Sequence, residues 1–174
     1  RRDPKGLTTP IAEALYAALV TDTGSFRHSN TDPDVHAMAG DPKASAELRN
    51  AMFESLREIG SPAVINGVAP LAKPGVDLAV RRQAVTVLTG LRPDQFASDA
   101  AAVLADTTNE TDAQSLWREL MGGKGAGKAL ALSVGKVKLP DAAARAGLRV
   151  AREGGRREDE LIAWCKARSA NFRV

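Results

Sequence analysis

Arg145, Arg149, Arg152 and Arg156 recur at i, i+4, i+7 and i+11, so on a helix they share one face. A row of guanidinium groups can grip phosphates or an acidic partner through paired N–H donors. Glu153, Glu158, Asp159 and Glu160 follow closely and blunt that field. The expected role is therefore a solvated face with local ion pairs, offering at most an anion or partner contact.

A second group, Gly122-Gly-Lys-Gly-Ala-Gly-Lys128, has the look of a phosphate-cradling loop. Such a loop needs a hydroxyl after its lysine to hold magnesium and a strand in front of it. Ala129 stands at the hydroxyl position, and Trp117 to Met121 reads as helix, so the run is expected to be an inter-helix turn. His28 and His36 are the only histidines, and surface placement is expected for both rather than a metal pair. Cys165 is the only cysteine. No internal disulfide, cysteine-based zinc site or Cys-x-x-Cys-His haem attachment can be built from it. It shares an apolar side with Leu161 and Ile162, where a thiol is inert.

The elements that must carry these residues are all helical in pattern. Among 174 residues, 44% are hydrophobic and 26% charged, the balance of a folded chain, while aromatics are only 4%. Abundant alanine favours closely packed helices over strands. A net charge of +3 is too small to argue for nucleic acid, and that partner is disfavoured. No apolar stretch approaches the roughly 20 residues that span a bilayer. The chain begins at Arg1, without an initiator methionine or signal peptide, and is expected to be a fragment or processed piece.

Thr9-Pro10, Asp32-Pro33, Asp41-Pro42 and Ser61-Pro62 each set a capping side chain before a proline at a helix start. Leu48, Met52, Leu56 and Ile59 follow at helical spacing, with Gly60 as the C-terminal cap. Val64, Ile65 and Val68 form a segment that Pro70 ends or kinks. Asp77 opens a helix with Val80, Ala84, Val87, Leu88 and Leu91 inward, and Pro93 starts its partner carrying Phe96, Val103 and Leu104. Thr111 is read as the cap of a helix bearing Leu116, Trp117 and Leu120. Leu130, Leu132 and Val134 are placed on a short helix closed by Gly135, and Pro140 opens one whose core includes Leu148. Helix starts fall roughly every 16 residues, or about 30–35 per pair, which predicts an all-α fold of stacked antiparallel helix pairs, a solenoid.

The segment from Ser45 to Lys166 resembles the HEAT-like helical region of multidomain haem-containing dehydrogenase-like proteins of planctomycete-type bacteria. The likeness is carried by Asp77-Leu-Ala-Val-Arg-Arg-Gln-Ala-Val and by Lys138-Leu-Pro-Asp through Gly147-Leu-Arg to Asp159-Glu-Leu. It implies a spacer or docking surface in an exported protein, with any haem held by neighbouring domains.

Leu15-Tyr-Ala-Ala-Leu-Val-Thr-Asp-Thr-Gly-Ser-Phe-Arg-His-Ser-Asn-Thr, within residues 8–40, resembles the Asp-Thr-Gly segment of DHH-type phosphoesterases. These are cytoplasmic manganese enzymes acting on short oligonucleotides or 3′-phosphoadenosine 5′-phosphate. The resemblance implies that Asp22 is a metal ligand, as a hard divalent cation prefers carboxylate oxygen. The family's upstream Asp-x-Asp and Asp-His-His motifs have no counterpart in this sequence.

Two domains follow from these likenesses: an N-terminal segment, 1–40, and a helical-repeat domain, 41–174. The expected function is a non-catalytic docking scaffold without a cofactor, whose partner is a protein or neighbouring domain. The alternative is an incomplete manganese-dependent phosphoesterase.

Overall fold

The computed structural model describes residues 45–153 and 161–163; every regular element among them is helical. The all-α expectation holds. The chain divides into two compact units, Arg1–Gly67 and Val68–Val174.

In the first unit, α1 (Ala46–Ile59) starts where Ser45 Oγ accepts from the Leu48 N–H at 3.2 Å. This cap, rather than Asp41-Pro42, opens the helix. Asp41 lies outside the described residues, as do the other expected caps Thr9-Pro10 and Asp32-Pro33. Arg49, Met52, Phe53 and Leu56 are buried at helical spacing. Gly60 ends α1 with φ 57°, a left-handed conformation that glycine adopts without a Cβ penalty. The next helix, α2 (Pro62–Val68), begins with Ser61 Oγ accepting from the Val64 N–H at 3.3 Å. At the start of the second unit the chain tightens into a short 3-10 helix, Ala69–Ala72, with Pro70 in its opening positions. Proline lacks the N–H that would continue the α-helical ladder, so the change falls where Pro70 predicts it.

The second unit contains α3 (Leu78–Leu91), α4 (Pro93–Asp106), α5 (Glu110–Leu120), α6 (Ala126–Val134) and α7 (Asp141–Arg152). Asp77 caps α3 by accepting from the N–H groups of Ala79 and Val80 at 2.9 and 3.4 Å. Val80, Ala84, Val87 and Leu88 are buried as expected, together with Arg81, Val85 and Thr89. That wide buried surface arises because α3 packs against the 3-10 helix, α4 and α5. Leu91 is only half-buried. Pro93 sits in the first turn of α4, whose Ala97, Ala100, Ala101, Val103 and Leu104 face inward, while Phe96 is half-buried.

Three expectations are corrected here. Asn109, not Thr111, caps α5: its backbone is extended and its Oδ1 accepts from the Asp112 N–H at 3.1 Å, while Thr111 already lies inside the helix. Leu132 is 63% exposed although Leu130 and Val134 are buried. Residues two apart on a helix point to different sides, so Leu130 and Leu132 cannot share a core face. Leu148 is half-buried, and the inner face of α7 is instead Ala143, Ala144, Ala146, Gly147, Val150 and Ala151.

Packing follows an alternating order. The pair α3 and α4 lie together; α6 rests on α4, α5 rests on α3, and α7 rests on α5. Leu161, in the described helical residues 161–163, is also buried.

Candidate functional site

The arginine row starts from α7, and α7 is held by a close approach to α5. Trp117 is fully buried on α5 and donates from Nε1 to the Ala143 carbonyl at 2.9 Å. A Cβ at Gly147 would meet the Trp117 ring at 2.8–3.0 Å, closer than real carbon contacts allow. Gly147 is therefore a notch into which the indole fits. The small face of α7 exists because a large ring occupies the space opposite.

This docking sets the register of the polar groups along the outer edge of the contact. Glu110, at the start of α5, accepts an ion pair from Arg145 Nη2 and another from Arg149 Nη2, each at 3.2 Å. Further along, Arg118 forms a two-point bond to Glu153, both contacts at 2.8 Å, and Gln114 Nε2 donates to the same carboxylate at 3.4 Å. The hydrogen bonds from Arg118 hold the Glu153 carboxyl below the ordinary glutamate range, against the opposing effect of desolvation. The same bonds raise the Arg118 guanidinium. Pairings advance together along both helices, so α5 and α7 run in the same direction.

A similar row joins α3 to α5. Arg82 donates to the Asp112 carbonyl at 2.9 Å and lies 3.5 Å from its carboxylate, while Thr86 donates to Glu119 at 3.1 Å. On the other side of α3, the buried Arg81 reaches Asp106 at the end of α4, at 2.6 Å. A cation there also faces the unpaired carbonyls of a helix C-terminus, where positive charge is favoured.

Arg145 and Arg149 are thus brought together on one carboxylate, that of Glu110. Glu153 is engaged by Arg118. Arg152 is exposed. Arg156 lies outside the described residues, as do Asp22, His28, His36 and Cys165. Glu110 is the residue that sequence reasoning missed. It precedes Arg145 by 35 positions, close to the 30–35 residues per helix pair read from the sequence, and that spacing was the signal available.

The glycine-rich run is a turn between α5 and α6, with Gly125 at φ 79°. It follows a helix, so the strand that a phosphate loop requires is not in front of it. A Cβ at Gly123 would lie 3.4 Å from the Cα of Gly90, near the end of α3. Two helix-to-helix turns therefore lie side by side.

Comparison with family models, curated proteins and solved structures finds no match to this chain. Among the described residues, no three His, Cys, Asp or Glu side chains gather as a metal site, and no helix is long and apolar enough to cross a membrane. The chemistry at hand is that of paired charges on helix surfaces.

Proposed function

We propose that the second unit is a HEAT-like helical-repeat scaffold, a non-catalytic docking module for another protein or a neighbouring domain. The observation that supports this reading is the alternation of the packing. Helices α3, α5 and α7 rest on one another in succession and point the same way, while α6 rests on α4 beside them. An array whose units cannot bury their apolar faces alone must stack in this manner. Polar side chains cross-link successive helices at the surface, leaving an extended helical face rather than a converging set of reactive groups.

The rival is manganese-dependent phosphoester hydrolysis at Asp22. A single carboxylate supplies too few of the roughly six oxygen ligands that such ions prefer, and would leave a water unactivated. Wild-type chain and Asp22→Ala should therefore give identical background rates on short oligonucleotides and on 3′-phosphoadenosine 5′-phosphate, with manganese or with chelator. Manganese-dependent turnover that disappears in the variant would overturn the scaffold reading.

A further inference from the structure

Among the described residues of the second unit, six of the twelve lysine and arginine side chains are tied to carboxylates of another segment. Lys73 pairs with Asp99, Arg81 with Asp106, Arg82 with Asp112, Arg118 with Glu153, and Arg145 and Arg149 with Glu110. Of the other six, Arg92, Lys124, Lys128 and Arg152 are exposed and have no ion-pair partner among the described residues, as is also true of Lys136 and Lys138. The first four are gathered at one end of the unit. Arg92 lies in the α3–α4 turn, and Lys124 and Lys128 flank the start of α6. The Gly90–Gly123 contact sets those two turns side by side. Arg152 joins them because α7 runs parallel to α5, and its neighbour Glu153 is bound to Arg118 near the end of α5.

We propose that this end of the helical array is a docking edge for an acidic segment, a run of aspartate and glutamate side chains in a partner protein or neighbouring domain. The proposal rests on the scaffold reading and assigns that scaffold's partner and face. Charge complementarity carries it. Exposed cations that do not satisfy one another hold a field into solvent, whereas paired ones do not. Among the described residues, the carboxylates at the same end are Glu153, held by Arg118, Glu119, which accepts a hydrogen bond from Thr86, and Asp94, which has no ion pair. Four cations interleaved with those carboxylates suit a peptide whose acidic groups are spaced and flexible. A nucleic-acid backbone, with charge about every 1.7 Å along a duplex, gains affinity from many phosphate contacts, and would meet Asp94 and Glu119 between the few cations available.

The opposite end supplies a control of equal charge. Lys136 and Lys138 lie in the loop before α7, at the end where Glu110 meets Arg145, and have no ion-pair partner among the described residues. Fluorescence anisotropy with a labelled poly-glutamate peptide, at low and then rising salt, tests the assignment on the full chain. The expected result is salt-sensitive binding that Lys124→Gln/Lys128→Gln weakens about tenfold, the equivalent of two exposed charge contacts. Lys136→Gln/Lys138→Gln should leave it within about twofold. Equal weakening by both pairs, or no binding at low salt, would overturn the proposal. So would tighter binding of a single-stranded oligonucleotide through the same lysines, which would reassign the edge to a phosphate polymer. Neither result touches the scaffold reading, which fails only through the Asp22-dependent turnover described above. Circular dichroism of each variant confirms that the exposed substitutions leave the helices formed.

Discussion

The α3–α4 contact and the α5–α7 contact join helices by different means. Between α3 and α4 the buried surface is spread over many aliphatic side chains, among them Val80, Ala84, Leu88, Ala97, Ala100, Val103 and Leu104. Between α5 and α7 one large ring, Trp117, sits among small side chains in a notch that only glycine leaves open. A spread interface loses part of its packing when one side chain is truncated. A notched one depends on a single fit, so its sensitivity should peak at two positions and fall off sharply around them.

Trp117→Ala should be the largest effect, about 3–5 kcal/mol, the usual cost of emptying a buried aromatic site. Urea unfolding measures it; a cost near that of a surface substitution would show that α7 does not depend on the ring. Leu88→Ala, in the spread interface, should cost about 2–5 kcal/mol, and Leu148→Ala distinctly less, about 1 kcal/mol, because Leu148 is only half-buried. Equal costs at the two leucines would move Leu148 into the core and erase the contrast between the small face of α7 and the larger aliphatic face of α3.

Gly147→Ala should destabilise by about 1–3 kcal/mol, since the new methyl meets the indole and the ring must shift. In a Trp117→Phe background the same change should cost less, because the smaller ring withdraws from the notch. A double-mutant cycle reads that coupling directly, and additive costs would break the account of the notch. Glu110→Gln, which releases Arg145 and Arg149 on the exposed edge, should cost only about 0.2–1 kcal/mol and less in high salt.

The smallest expected signal comes from Glu153. Its carboxyl titrates below the ordinary range in the folded chain, so its contribution to stability is present above the unfolded-state value and is lost as pH falls through the folded one. An NMR titration of the Glu153 side-chain carboxyl should show a midpoint that rises toward the ordinary value in Arg118→Gln. An unchanged midpoint would mean that the Arg118 bond does not persist in solution.

Local chemistry was legible without the fold. Ser61, Asp77, Gly60 and Pro93 end or begin helices because capping needs only a suitable oxygen, an absent Cβ or a missing N–H within a few residues. Even there, the sequence pointed to Thr111, whereas the extended backbone and accepting side chain at Asn109 place the cap two residues earlier. Helical period likewise placed Leu88, Leu116, Trp117 and Leu130 inward, since burial of an apolar stripe repeats along one element.

The partners of those stripes were a different matter, because they lie dozens of residues away. Nothing near Arg145 in sequence names Glu110, yet Glu110 is a carboxylate that pairs with it. Gly147 reads locally as a weak point in a helix; only the ring of Trp117 against it makes it the place where α7 fits. The sequence by itself determined where helices start, stop and turn an apolar side inward, for those preferences act over one or two turns. Which of those sides meet, and therefore which charges are neutralised and which remain free at the turn end, was decided by tertiary packing, because complementarity of shape and charge acts through space rather than along the chain.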